Sequence, residues 1–139
     1  MKICFAIAAA VLAGVSGISI ATPLYAAAET SSPVATVQFA DDSDAVDAKA
    51  AKILDEFAER HRTGKSQIIV KAYADRSEGA EHGPEYGRGL SHRRASEVRS
   101  YLFTRGIDVG RTEIQAFGTD KPKGTVSSAN RRAEIYVIP

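Results

Sequence analysis

One acid and two arginines in a charged stretch of the chain could hold an ion between them. Asp75 directly follows an apolar run, and Arg93 and Arg94 stand further along on a predicted helix. An acid and an arginine that face one cleft can pair with each other. Alternatively they can hold a zwitterion, with the acid binding its ammonium group and the arginine binding its carboxylate. An exposed ion pair contributes only about 0–1 kcal/mol, so the residue types alone leave both interpretations open.

Other residues with chemical potential lack a supporting pattern. The three histidines match no metal-ligand spacing on one element, and the segment "TGKS" lacks the leading glycine of a phosphate-binding loop. A hydrolase would have to use the acids and histidines near Asp75 as its acid and base, and their spacing does not indicate that geometry. These residues are Glu78, Glu81, His82 and His92. We therefore expect a protein that is not an enzyme and that uses no cofactor and no metal.

The amino-terminal segment has the pattern of a secretory signal peptide. Lys2 is followed by an uncharged apolar run, and Ala26 and Ala28 occupy the −3 and −1 positions of a cleavage site. We expect residues 1–28 to be removed and residues 29–33 to form a short leader. The alternative is an uncleaved membrane anchor, because the apolar run approaches the length that spans a bilayer.

Without the signal peptide the chain carries no net charge. The 18 Lys and Arg residues include Lys2, so residues 29–139 have as many basic residues as the 17 Asp and Glu. A neutral chain has no long-range attraction to nucleic acid, and we expect no such partner. The single cysteine lies in the predicted signal peptide. One modest apolar core, and no disulfide, must therefore hold the remaining domain.

The apolar patterns predict four strands and two helices in a domain covering residues 34–139. Strand-forming runs cover 34–39, 67–73, 111–118 and 132–138. Helical periodicity covers 45–61 and a second segment that ends near Arg105. This order predicts an α+β fold in which a mixed four-stranded sheet carries both helices on one face. Asp75 then lies at the carboxyl end of an inner strand, where ligands collect in sheets with helical crossovers.

Several short motifs follow one another in a fixed order, namely "YADR", "EYGRGLSHRRA", "YLFTRGI", "FGTDKP" and "NRRAEI". Together they resemble the OmpA-like peptidoglycan-binding domain family over about residues 34–138. The resemblance implies the β-α-β-α-β-β order given above. It also implies non-covalent binding of peptidoglycan in the periplasm, by a protein associated with the cell wall or the outer membrane of the envelope.

The resemblance further implies which residues bind. The ligand of this family is the diaminopimelate of the peptidoglycan stem peptide, whose free end is a zwitterion. By likeness, Asp75 holds its amino group and Arg94 its carboxylate, while Arg93 faces solvent. Supporting positions are expected at Asp42, Ala74, Tyr86 and Arg131.

Some positions depart from the family pattern. Ala74 stands where the family has Thr, Gly87 stands where it has Asn, and the loop over residues 76–85 is longer. Each lost hydrogen bond costs about 0.5–1.5 kcal/mol, so weaker wall binding is expected. The alternative function is an envelope protein–protein interaction module that keeps the fold and has lost wall binding.

Overall fold

A computed structural model describes residues 32–139 of the chain. The predicted signal peptide, residues 1–28, lies outside the described residues and stays a prediction, as does the boundary of the leader. Within the described part, none of the helices is both long enough and apolar enough to cross a bilayer.

Four strands and three helices follow one another along this part of the chain. They are β1 (Ala35–Gln38), α1 (Ala48–His61), β2 (Gln67–Ala72), α2 (Pro84–Thr104), β3 (Thr112–Ala116), α3 (Ser127–Asn130) and β4 (Arg132–Ile138). Short 3-10 turns precede α2 and β3. The predicted order of strands and long helices is confirmed. The sequence did not predict α3, because a helix of four residues is too short to show a periodic pattern.

The sheet is mixed, as predicted, with the strand order β1-β4-β2-β3. β4 pairs antiparallel with both β1 and β2, and β2 pairs parallel with β3. Ala72 of β2 lies opposite Ala133 of β4, so the carboxyl end of β2 is beside the start of β4. The segments that follow β2 and precede β4 therefore meet at one edge of the sheet.

The core lies between one face of the sheet and the two long helices. Alternate residues of the inner strands point toward both helices and form a single buried cluster with them. Its largest members are Phe39, Leu54, Phe57, Ile68, Leu102, Ile107 and Ile135. The Asp47 side chain accepts a hydrogen bond of 2.7 Å from the Ala50 N–H and so caps the start of α1. Pro84 stands in the first turn of α2, a position that proline favours.

Helix α2 approaches the turn after β3 closely at Gly87. A Cβ atom added at Gly87 would lie 3.0 Å from Thr119 Cγ2 and 3.8 Å from the Ala74 Cβ. One turn further along the helix, the Ser91 Oγ accepts a hydrogen bond of 2.9 Å from the Gly118 N–H. The glycine at position 87, seen from the sequence as a lost amide contact, thus lets the helix pack against the end of the sheet.

Gly87→Ala tests this close approach. Alanine is favoured over glycine inside a helix by about 1 kcal/mol, but here its methyl group meets Thr119 Cγ2. We expect Gly87→Ala to lower the free energy of unfolding in the natural background and to raise it in a Thr119→Ser background, which lacks that methyl group. Urea denaturation of the two single variants and the double variant gives the coupling, expected at about 1 kcal/mol. Additive effects would contradict the contact.

Candidate functional site

Asp75 lies just beyond β2 with its carboxylate held in one orientation. Its Oδ1 accepts hydrogen bonds from the Ser77 N–H at 3.0 Å and from the Ser77 Oγ at 2.6 Å. Its Oδ2 accepts one from the Asn130 Nδ2 at 2.7 Å. A carboxylate offers about four acceptor positions, so about one remains for a ligand.

The Asp75 side of the sheet edge opens into a cleft of about 470 Å³. We call it the Asp75 cleft. Three segments form its walls: the end of β2, the turn after β3, and the segment that leads into α3. The residues that line it are Ala74, Asp75, Arg76, Ser77, Thr119, Pro122, Gly124, Thr125, Ser127 and Asn130. The volume fits the end of a side chain or a short peptide segment.

Asn130 connects Asp75 to the loop on the far wall of the cleft. Its Nδ2 also donates to the Gly124 carbonyl at 3.1 Å, and its Oδ1 accepts from the Lys123 N–H at 2.7 Å. The side chain is buried, so every polar atom of its amide has a partner. Asn130 thereby fixes both the carboxylate and the loop that faces it.

The Asp75 carboxyl group is ionised well into the acidic range. Burial raises its pKa, but the hydrogen bonds from Ser77 and Asn130 outweigh burial and hold the pKa far below its ordinary value of 3.8. The side chain is only 7% exposed, and that small surface faces the cleft. The site therefore presents a fixed negative charge, which suits an ammonium group.

Arg94 does not line this cleft, and its side chain is fully buried beneath the loop that follows Asp75. Its Nε donates to the Ser43 carbonyl at 2.8 Å. Its Nη1 and Nη2 donate to the Tyr73 carbonyl at 3.0 Å and the Ala40 carbonyl at 3.2 Å. Both terminal nitrogens also donate to Glu78, Nη1 to Oε2 at 2.8 Å and Nη2 to Oε1. All five N–H groups of the guanidinium are thus engaged.

Glu78 is the carboxylate that Arg94 binds. Its side chain is as completely buried as that of Arg94. Its Oε1 also accepts from the Asp42 N–H at 2.9 Å, and its Oε2 accepts from the Asp75 N–H at 2.8 Å. The pair therefore connects α2, the end of β2 and the segment between β1 and α1. In this structure the arginine nineteen residues beyond Asp75 is paired with the acid three residues beyond it.

Asp42 and Tyr86 support the outer side of the same loop. The Tyr86 hydroxyl donates to the Asp42 carboxylate, which raises the pKa of Tyr86. Asp42 has a positive φ of 52°, a conformation that Asp tolerates, and its N–H points at Glu78. The loop passes over the Tyr86 ring at Gly79, where an added Cβ would lie 1.9 Å from the ring. Glycine is therefore required at position 79, where φ is +61°.

The structure thus separates the residues that the sequence grouped together. Ala74 lines the Asp75 cleft. Asp42 and Tyr86 lie with Glu78 and Arg94 beside the loop, and neither lines that cleft. Arg131 faces a different cleft, where its Nε donates to the Phe39 carbonyl at 3.2 Å.

Sequence analysis did not assign several residues of the site. Ser77 could have been found, since a serine two residues after an aspartate often completes an Asx turn. Asn130 was noticed as part of the "NRRAEI" motif, but nothing in the sequence linked it to Asp75. Arg76 and Glu78 carried no signal that separated them from other loop charges. No group of three or more His, Cys, Asp and Glu residues within 32–139 is placed to hold a metal ion.

Removing one partner of the Arg94–Glu78 pair tests its contribution to stability. Glu78→Ala leaves a buried, uncompensated guanidinium, and we expect a loss of about 3–5 kcal/mol in the free energy of unfolding. The matched control is Asp55→Ala, which breaks an ion pair of 2.6 Å with Arg105 whose side chains are about half exposed. That control should lower the free energy of unfolding far less, because water screens an exposed ion pair. Equal losses of unfolding free energy in urea denaturation would show that the buried pair contributes no more to stability than the exposed pair does.

The model of the OmpA family matches residues 38–135, nearly all of the described domain. The peptidoglycan-associated lipoprotein of Haemophilus influenzae is 31% identical over 118 residues, covering 80% of this chain and 74% of that protein.

Two solved structures are similar in fold. The peptidoglycan-associated lipoprotein of Burkholderia pseudomallei superposes with a TM-score of 0.67 at 24% identity, covering 73% of this chain and 88% of that one. The cell wall anchor of the T6SS from Pseudomonas aeruginosa gives 0.62 at 27% identity, covering 74% and 78%. The family resemblance read from the motifs is confirmed, and the chain belongs to the OmpA family.

Proposed function

We propose that this protein binds peptidoglycan non-covalently in the periplasm and that the Asp75 cleft receives the diaminopimelate of the stem peptide. The observation that carries the proposal is the Asp75 carboxylate, which is charged, fixed by Ser77 and Asn130, and open on one side to the cleft. Relatives named for their association with peptidoglycan and a similar cell wall anchor support the peptidoglycan-binding part of this proposal.

The amino group of diaminopimelate fits the acceptor position of Asp75 that faces the cleft, beside the Ser127 hydroxyl. An ammonium group next to a carboxylate forms a charge-assisted hydrogen bond, which is stronger than a neutral one. Thr119, Thr125 and Ser127 line the cleft and can bond to the peptide groups around that amine. Ala74 contributes shape to the cleft floor and no side-chain hydrogen bond.

The family resemblance assigns the ligand carboxylate to Arg94. In the conformation described above, a ligand could reach that guanidinium only by displacing Glu78, because every N–H group of Arg94 has a partner. Displacement would break a buried ion pair, which costs several kcal/mol unless the ligand carboxylate restores the same contacts. Binding of the ligand carboxylate by Arg94 therefore depends on movement of the loop that carries Glu78.

A binding role also fits the chemistry better than hydrolysis does. The hydrolase alternative uses Glu78 and Glu81 with His82 or His92. The two oxygens of Glu78 accept four hydrogen bonds and its side chain is buried. His82 packs its ring against Tyr86 with centroids 4.8 Å apart. Neither group is placed to act on a bond held in the Asp75 cleft. We propose that the protein is not an enzyme.

Each single site should bind weakly. Charge-assisted contacts contribute about 1.5–3 kcal/mol each, and association costs at least about 4 kcal/mol. Two such contacts exceed that cost by at most about 2 kcal/mol, which alone corresponds to a dissociation constant of about 30 mM, so other contacts in the cleft must supply any tighter binding. A cell wall repeats the same stem at high density, so weak sites are retained there by rebinding.

Asp75→Asn tests the proposal, because it removes the charge and nearly preserves the shape. We expect the natural protein to co-sediment with diaminopimelate-type sacculi and Asp75→Asn to lose at least tenfold in binding. Asp108→Asn is the control, since Asp108 is exposed and precedes β3 at the opposite end of the sheet. Thermal denaturation would verify that all three proteins are folded.

Failure of the folded natural protein to co-sediment would overturn wall binding. It would favour the alternative of a protein–protein interaction module in the envelope. Equal binding by Asp75→Asn would instead place the ligand somewhere other than the Asp75 cleft.

The pKa of Asp75 also predicts how binding depends on pH. Because the pKa lies well below 3.8, the carboxylate stays ionised at pH 5 and so does its attraction for an ammonium group. We expect binding to sacculi to be the same at pH 7 and pH 5 and to weaken only at a pH well below 3.8, where the Asp75 carboxylate protonates. A loss of binding centred at pH 5 or above would show that another group controls the interaction.

A further inference from the structure

We propose that Arg76, and not Arg94, binds the carboxylate of the ligand in the Asp75 cleft. This inference rests on the proposed function and specifies which two side chains of this chain form the zwitterion clamp. The two charges would then come from adjacent residues of one loop.

Arg94 already binds a carboxylate inside the protein. Glu78 gives Arg94 a two-pronged carboxylate partner, which is the contact that a ligand carboxylate would make. Its Oε1 and Oε2 are also held by the Asp42 and Asp75 N–H groups, so Glu78 is anchored independently of Arg94. The arginine and the glutamate are both fully buried. The Glu78 carboxylate therefore occupies the place on Arg94 that a ligand carboxylate would need.

Arg76 lies at the Asp75 cleft, and its side chain is not engaged by another residue of the described domain. It is exposed, and among the described residues that line the Asp75 cleft it is the one cation. Within residues 32–139 its side chain has no hydrogen bond, ion pair or ring contact. An unpaired guanidinium beside a fixed carboxylate can grip a ligand carboxylate without first losing an internal partner.

Asp75 and Arg76 do not neutralise each other in the cleft. Asp75 is held by the neutral groups of Ser77 and Asn130, so Arg76 is not consumed in neutralising it. The cleft therefore offers one separate negative group and one separate positive group to a ligand. This pairing selects an end group with a free amine and a free carboxylate, and it disfavours the same group with its carboxylate converted to an amide.

Two stem peptides distinguish this clamp from one that uses Asp75 alone. The first carries diaminopimelate with a free terminal carboxylate, and the second carries the same residue with that carboxylate amidated. We expect the natural protein to bind the free form about tenfold more tightly in calorimetric titration. Arg76→Gln should weaken binding of the free form to the level of the amide and leave binding of the amide unchanged. Arg76→Lys should keep part of the preference for the free carboxylate that Arg76→Gln loses. Lysine keeps the positive charge but lacks the planar guanidinium that binds a carboxylate through two N–H groups.

Arg60→Gln is the matched control. It removes the same charge from the last turn of α1, where Arg60 pairs with Glu56 in an exposed contact of 3.5 Å. This variant should keep the full preference for the free carboxylate.

The results separate the inference from the function on which it rests. Arg76→Gln could retain the tenfold preference while Asp75→Asn loses binding. The Asp75 cleft would then be the site, but Arg76 would not bind the ligand carboxylate. If Asp75→Asn binds both peptides as well as the natural protein does, the proposed site fails and the Arg76 clamp fails with it. Equal binding of both peptides by the natural protein would also overturn the clamp.

Discussion

The buried pair of Arg94 and Glu78 is the interaction on which the architecture of this edge of the sheet depends. Two charges removed from water are tolerated only when their hydrogen-bonding groups are satisfied, and here five donors meet two oxygens and three carbonyls. Those partners come from the end of β2, the segment after β1 and the loop before α2. Three separate segments are therefore fixed by one guanidinium, and none of them can move far without exposing it.

This arrangement explains why the site divides into two sides. Beneath the loop, the charges of Glu78 and Arg94 compensate each other and serve stability. On the other side, Asp75 and Arg76 remain available, because the neutral groups of Ser77 and Asn130 orient the acid without neutralising it. If Asp75 and Glu78 both paired with Arg94, the cleft would present no negative charge. Because Glu78 pairs with Arg94, the Asp75 carboxylate stays unpaired with that arginine.

Much of the fold could be predicted from the sequence, because burial imposes periodic patterns. The strand-forming runs and the helical periodicity over 45–61 indicated the order of the elements, and the end of the 67–73 run placed Asp75 at the carboxyl end of an inner strand. The partner of Arg94 could not be predicted. Asp75 and Glu78 are both near enough in sequence, and the choice depends on a loop conformation set by Gly79 against Tyr86. Asn130 was equally hidden, since its contact with Asp75 crosses 55 positions in the chain.

The strand order also determines the direction in which a mechanical load would travel. Gln38 of β1 lies opposite Arg132 at the start of β4, and Ala35 lies opposite Ile135, so β1 begins beside the middle of β4 and runs toward the end of the sheet that carries the Asp75 cleft. A pull between a ligand in the cleft and the start of β1 acts along the strands, perpendicular to the hydrogen bonds that join them. Those bonds are strained together in shear and do not open one at a time. The sheet is thus oriented to resist tension between the Asp75 cleft and the start of β1.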